Sequence, residues 1–296
     1  MDSGLKIKEI AMEEHLDFKP KFINERGDFG NKIKTALVCI AKNEDNYLKE
    51  WVDYNLKIGF DDIFIHQNNW RYTKNDISDP RVHFIEFDGH RMQNKCYNDF
   101  IEKYSYKYDF AAFFDCDEFI YLKNHSNIND FLVDYKNENA IFINWRLFGD
   151  NNLTFTKGNY SVINRFTMSD NKLHPLGKNI INLKLSNGSI IFNNPHILQY
   201  KEPPLREYHS TDPNNKYKVI CGCIHNNTEI ESAELYHYRN KTWEENVERK
   251  YGTDDAFHEA DNCDFRRDIN AVKREFDNHN KNIIFNDNLV KFMETK

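Results

Sequence analysis

Phe110-Ala111-Ala112-Phe113-Phe114, followed at once by Asp115-Cys116-Asp117-Glu118, is the stretch from which the fold is read. A continuous apolar run cut off by charge marks a strand buried on both faces, as in a parallel sheet. The three carboxylates at its end concentrate negative charge where burial is costly unless a cation neutralises it. A divalent metal is the economical explanation. Alternation along an extended chain would send Asp115 and Asp117 to one side and Cys116 into the body. Two hard oxygen donors, with room for water and phosphate oxygens, suit Mg2+ or Mn2+. The plain alternative is a solvated turn ahead of a helix, where Asp and Glu are also favoured.

Upstream, Thr35-Ala36-Leu37-Val38-Cys39-Ile40-Ala41 is a second fully apolar run, ended by Lys42-Asn43-Glu44. From Asp45 to Ile58 the apolar positions Tyr47, Leu48, Trp51, Val52, Leu56 and Ile58 keep helical spacing, and Gly59 stands where a helix C-cap favours glycine. Strands follow at Ile63–Ile65 and Val82–Phe87, and a helix at Arg91–Tyr104. This is the rhythm of a βαβ sheet with right-handed crossovers. Ligands of such sheets bind beyond the carboxyl ends of the strands. The clusters Lys42-Asn43-Glu44, His66-Gln67-Asn68-Asn69 and Asp115-Cys116-Asp117-Glu118 all lie at such ends and should converge.

Downstream the pattern changes. Ile128–Tyr135 reads as a short helix and Ala140–Trp145 as a strand, while residues 150–235 are strand-like pieces broken by Asn, Gly and Pro. Glu234–Gly252 reads as helical, and Asp264–Phe276 as a charged amphipathic helix of the outer layer. The expected fold class is therefore α/β, a Rossmann-like mixed sheet flanked by helices with a C-terminal helical extension. The expected divisions are a leader at 1–32, a main domain at 33–255 (a donor half at 33–125, an acceptor half at 126–255), and an extension at 256–296.

With 296 residues, 40% hydrophobic and 15% aromatic, the chain has material for a real core and is not disordered. No run reaches the roughly 18 apolar residues of a spanning helix, and Met1–Pro20 alternates charges without a signal-peptide core. A cytoplasmic protein is the expectation. The 40 Lys+Arg against 47 Asp+Glu, a formal charge of −7, give no general attraction to nucleic acid. The six cysteines, Cys39, Cys96, Cys116, Cys221, Cys223 and Cys263, are scattered and read as free thiols. Cys221-Gly-Cys223 is too closely spaced for a zinc knuckle.

Four blocks in order carry a family resemblance. Ala36-Leu37-Val38-Cys39-Ile40-Ala41-Lys42-Asn43-Glu44 with its following helix, Phe113-Phe114-Asp115-Cys116-Asp117-Glu118-Phe119, Asn144-Trp145-Arg146-Leu147-Phe148-Gly149, and His237-Tyr238-Arg239-Asn240-Lys241-Thr242 resemble GT-A-fold glycosyltransferases of the family-2-like, inverting, Asp-x-Asp type. The likeness spans about residues 34–255.

It implies transfer of a sugar from a nucleotide diphosphate, usually uridine diphosphate, to a hydroxyl, with a metal acting as Lewis acid on the leaving diphosphate. Asp117 is implied as a metal ligand, Asp115 as a ligand of the donor ribose or the metal, and His237 as a late metal ligand. Arg239 and Lys241 would neutralise the diphosphate. Ala41, Lys42, Asn43 and Glu44 would cradle the nucleoside, closed by Asn68 and Asn69, and Gln93, Asn94 and Lys95 would face the donor. Arg71 and Lys178 are further phosphate candidates. Trp145 suits an acceptor-stacking platform, and Asp150 the general base of an inverting displacement, although Asp150-Asn151-Asn152 departs from the small residues of the family pattern. Glu202, Glu207 and Asp212 are substitutes for the base. The expected partners are a UDP-hexose, UDP-galactose among them, and a glycan or glycolipid acceptor such as a bacterial surface polysaccharide presented at the inner membrane face. A nucleotidyltransferase would use the same acids, but Lys42-Asn43-Glu44-Asp45 lacks the Gly-rich loop of a triphosphate site. A non-catalytic glycan-binding module is the third reading.

Overall fold

The computed structural model of the protein describes residues 32–156, 158–186, 188–201, 210–211, 218–219, 232–251 and 268–295. In chain order the elements begin with β1 (Thr35–Ala41), α1 (Leu48–Ile58), β2 (Asp62–Gln67), β3 (Val82–Glu86), α2 (Gln93–Tyr104), β4 (Phe110–Phe113), β5 (Glu118–Leu122), α3 (Ile128–Val133) and β6 (Ala140–Leu147). There follow α4 (Val162–Arg165), β7 (Met168–Ser169), β8 (Gly177–Asn182), α5 (Leu183–Ser186), β9 (Ile190–Asn194), β10 (Ile197–Tyr200), β11 (Ser210–Thr211) and β12 (Lys218–Val219). The chain closes with β13 (Ala233–His237), α6 (Trp243–Lys250), α7 (Ile269–His279), β14 (Ile284–Phe285) and α8 (Asn288–Glu294).

The main sheet runs β12-β11-β6-β8-β4-β1-β2-β3, with β13 joined to β6 and β5 joined to β13. Its β4-β1-β2-β3 half is parallel, whereas β8 runs antiparallel between β4 and β6. This is the expected mixed sheet flanked by helices, consistent with a Rossmann-like GT-A arrangement. Every residue of β1 is buried, and alternation divides them. Leu37, Cys39 and Ala41 join Trp51, Val52 and Tyr54 of α1 on one face, while Ala36, Val38 and Ile40 join Cys96, Tyr97 and Phe100 of α2 on the other. Helix α1 ends as read, at Gly59 in the left-handed region (φ 105°). It begins at Leu48, later than Asp45, because the Glu44 carbonyl accepts from the Tyr47 and Leu48 amides in a preceding turn.

One reading is corrected outright. Glu234–Gly252 is not one helix: Ala233–His237 is a strand, antiparallel to β5 and parallel to β6. All five of its residues are buried, so helical periodicity had nothing to act on. The sequence does carry the true start of the helix. Thr242 and Glu245 form a reciprocal capping box at α6. Helix α7 buries only Val272 and Phe276, as a solvated outer helix should. Beyond it, β14 pairs with β7 and α8 inserts Leu289 into the core. Cys39, Cys96 and Cys116 are free and buried. The leader through residue 31, Cys221, Cys223, Cys263, Glu202, Glu207 and Asp212 lie outside the described residues.

Gly177, paired with Asn144 where β8 crosses β6, is there for want of space. A Cβ on it would stand 2.0 Å from the Ile143 carbonyl oxygen. Gly177→Ala is therefore expected to destabilise the fold by about 1–3 kcal/mol, the usual cost of overpacking, read as a lowered midpoint in thermal or urea unfolding.

Candidate functional site

Four carboxylates, Glu44, Asp115, Asp117 and Glu118, meet Lys178, Lys241 and Arg249 at the carboxyl ends of β1 and β4. Asp115, Cys116, Asp117 and Glu118 do not continue β4 as extended chain. The Glu118 amide donates to the Asp115 carbonyl at 3.0 Å, closing a tight turn. The alternation expected for the two aspartates therefore fails, and each acquires its own partners. Asp115 accepts from Gln93 Nε2 at 2.7 Å and Tyr97 Oη at 3.3 Å, and its other oxygen lies 2.9 Å from Lys178 Nζ. Asp117 Oδ2 accepts from Arg249 at 2.6 Å, while Oδ1 faces His237 Nε2 at 3.4 Å. Cys116 does point inward, its thiol 3.7 Å from that of Cys39.

Charge within this cluster follows from burial and neighbours. Burial opposes ionisation of Asp117, but His237 and the Arg249 guanidinium outweigh it and hold its carboxyl well below the usual range. Burial pushes the His237 imidazole down, against the opposing pull of Asp117. Lys241 is pushed down by burial and by Arg249, and Glu44 is pushed up by burial despite Lys241. Lys178, although only 1% exposed, is held above its ordinary value because Asp115 and Glu118 outweigh the cost of burial. Among the described residues, Lys241 Nζ, His237 Nδ1 and Glu44 Oε2 are buried without a hydrogen-bond partner. Such atoms are costly in a finished interior. Lys241 also adopts φ 57°, a conformation uncommon for a residue other than glycine or asparagine.

Glu118 fixes this geometry. Its side chain is fully buried and accepts from the Asp115 amide at 2.9 Å and from Trp145 Nε1 at 2.7 Å. Its backbone carbonyl accepts from Trp51 Nε1 at 2.9 Å. Trp145 itself is 6% exposed. It is covered by the rings of His174, His196 and His237, with centroids at 5.6, 5.3 and 4.5 Å.

The structure brings Glu44, Gln93, Asp115, Asp117, Lys178, His237 and Lys241 together. Other sequence candidates are occupied elsewhere. Asn68 donates to the Phe87 and Gly89 carbonyls, and Asn69 to Gly89. Asn94 is fastened to the Asn193 carbonyl, and Lys95 is exposed. Arg71 bridges Glu86 and Asp88 on the surface, and Arg239 pairs with Glu275 of α7. Ala41 receives the Asn68 amide on its carbonyl, and Lys42 lies half-buried beside it. Asp150 Oδ1 accepts from the Asn152 amide and Asn282 Nδ2, both at 2.8 Å, binding the turn after β6 to the segment after α7. Sequence reading missed Arg249, Tyr97 and the role of Glu118. The capping box at Thr242 was the available signal for Arg249, since it sets the helix that carries it.

The buried acid-and-cation cluster lies at the carboxyl ends of a Rossmann-like sheet, where such sheets bind their ligands. The model of glycosyltransferase family 92 matches residues 34–282. The chain belongs to glycosyltransferase family 92 and is a glycosyltransferase. The matching family is family 92, where the sequence blocks had suggested the family-2-like type. No curated protein matches the chain. Among the described residues no helix is long and apolar enough to cross a membrane.

Buried histidines give the fold a testable pH signature. Burial lowers His66 from 6.5 to about 4, and His66 is fully buried with Nδ1 3.3 Å from the Cys39 carbonyl. The unfolded chain takes up this proton near its ordinary value, whereas the folded chain resists until near pH 4. The stability is thus present above that ordinary value and is lost as pH falls through this window. His66→Gln should flatten the wild-type slope of unfolding free energy between pH 6 and 4 by up to about 1.4 kcal/mol per pH unit, measured by urea titrations at each pH. Parallel slopes in the two proteins would remove His66 as the cause.

Proposed function

We propose that this glycosyltransferase moves a hexose from a UDP-hexose to a hydroxyl of a glycan or glycolipid acceptor, by inverting displacement assisted by Mn2+ or Mg2+. The observation that carries the reading is the pair of Asp117 Oδ1 and His237 Nε2, 3.4 Å apart, with the unsatisfied buried Lys241 Nζ in the same cluster. They sit at the strand ends where a diphosphate would need both cations and a metal.

The donor chemistry fits a divalent ion. Asp117 Oδ1 and His237 Nε2 face each other across 3.4 Å, near the roughly 3 Å that separates neighbouring ligands of one ion with metal–oxygen distances of about 2.1 Å. Among the described residues no preformed group of three His, Cys, Asp or Glu side chains surrounds such an ion, so water and phosphate oxygens complete the shell, as Mg2+ and Mn2+ prefer. Asp117 and His237 would hold the ion, and its chemistry is charge stabilisation of the departing diphosphate. Lys178 holds Asp115 in place to accept ribose hydroxyls. Lys241 and Arg249 face the phosphates, and Glu44, near the end of β1, lies on the nucleoside side. Trp145 backs the acceptor side, with Asp150 the carboxylate nominated by sequence for the acceptor proton.

Ligand-dependent stability tests this directly. UDP with Mn2+ should raise the melting temperature, because ligand at a hundred times its Kd adds about 2.7 kcal/mol to the folded state. UDP without the ion should raise it less, and ATP not at all. Asp117→Asn should reduce sugar transfer at least about 100-fold, the scale of losing one charge-stabilising group, while leaving the fold intact. A shift with ATP that exceeds the shift with UDP would favour nucleotidyl transfer. A folded protein that answers to no nucleotide but binds glycans would instead be a binding module.

A further inference from the structure

The two histidines flanking Trp145 have their tautomers fixed by the backbone, in opposite senses. His196 Nδ1 lies 2.7 Å from the Gly177 carbonyl. A carbonyl only accepts, so Nδ1 carries the hydrogen and Nε2 presents its lone pair. His174 is the reverse. Its Nδ1 accepts from the Leu176 amide at 3.1 Å, so Nε2 bears the hydrogen and can only donate. Of the two, His196 alone offers a basic nitrogen.

Three observations place His196 beside the acid-and-cation cluster. It follows β9 and is held at its backbone by Asn179, which donates to the His196 carbonyl at 2.9 Å. Asn179 adjoins Lys178, the residue paired with Asp115. Its ring meets Trp145 edge-on, 83° from coplanar, and Trp145 in turn packs against His237. The Nδ1 partner of His196, Gly177, directly precedes Lys178 in β8. Among the described residues Nε2 has no hydrogen-bond partner, and it is not one of the sealed buried atoms. The ring is thus oriented at one nitrogen and open at the other.

We infer that His196 is the general base of the transfer, a reading that rests on the donor site described above. The acceptor hydroxyl gives its proton to His196 Nε2 as its oxygen bonds the anomeric carbon. The bond from that carbon to the diphosphate breaks, and its electron pair leaves on the diphosphate. The imidazolium then returns the proton to solvent. Burial, together with Lys178, holds the imidazole down to about 4, which keeps it unprotonated before donor binds. Asp150 is less suited, having one carboxylate oxygen committed to Asn282 and the Asn152 amide.

His196→Asn isolates the role, because an Asn amide can still donate to the Gly177 carbonyl but carries no basic nitrogen. UDP release from UDP-galactose, with Mn2+ and either a glycan acceptor panel or water as acceptor, should fall at least about 100-fold in His196→Asn, within the usual range for a lost general base. UDP affinity by calorimetry should stay within about threefold of wild type, and the melting temperature should be close to it. In His196→Ala, added imidazole should restore release at least about tenfold, a recovery that a merely structural role would not give. His196→Asn turning over within about threefold of wild type, or His196→Ala left unanswered by imidazole while Asp150→Asn is inactive, overturns the proposal and gives the proton to Asp150. A wild-type protein that binds no UDP fails at the donor reading and takes this one with it, whereas wild type that binds UDP and turns over isolates the His196 question.

Discussion

The Glu118 carboxyl is the point on which the site's geometry depends. With one oxygen it takes the Asp115 amide, with the other the Trp145 indole, and with its backbone carbonyl the Trp51 indole. One residue thereby ties the acid turn to α1 and β6, and through strand pairing it stands opposite His237. Burial pushes its carboxyl well above the usual range even with Lys178 near. A group that costly to bury persists where its hydrogen bonds are satisfied, and both of its oxygens are. The turn that presents Asp115 and Asp117 is held in place by packing and hydrogen bonds, whatever ligand arrives.

Around that point the protein separates structural charge from reactive charge. Glu234 is bound by Arg146 and Lys123 at 2.7 and 2.5 Å. Glu245 is bound by Arg165, Tyr47 and its own capping threonine. These carboxylates have every oxygen occupied, and Arg146 and Arg165 bind in two-pronged fashion. They fasten β13 and α6, the elements that carry His237 and Arg249. Lys241, His237 and Glu44 differ in keeping buried atoms unsatisfied. A folded chain tolerates such atoms where a ligand completes them, and these three lie together beside Asp117, whereas the first group belongs to the scaffold.

The parallel half of the sheet was legible because its strands are buried on both faces. Phe110–Phe114 and Thr35–Ala41 are nearly pure apolar runs, and their charged ends mark where the strands stop. Period and burial there tell the same story. Ala233–His237 was not legible for the converse reason: Glu234 and His237 are buried by partners remote in sequence, so polar residues occupy inward positions and suggest a helix face. The convergence at the strand ends could be read from topology. The turn at Asp115 could not, because the hydrogen bond that closes it arises from the downstream strand β5. Asn68, Asn69 and Asn94 show the limit of reading residue type alone. Their position at strand and helix ends is right for a donor, yet each amide is engaged by a nearby backbone carbonyl.

Asp117 illustrates how a site can be stable before its substrate binds and still be ready for it. Its two oxygens face different ways, Oδ2 toward Arg249 and Oδ1 toward His237. His237 and the Arg249 guanidinium favour the ionised carboxylate, which a buried acid would otherwise resist, and the guanidinium occupies only one of the oxygens. The second oxygen is left facing the His237 imidazole at 3.4 Å. On the proposed reading an incoming metal and diphosphate need displace neither α6 nor the acid turn. The metal would use Oδ1, and the phosphates would share Arg249 and Lys241. The cost of gathering like charges is met in advance by cations already in place, and this preorganisation is the part of catalysis that a fold can supply by itself.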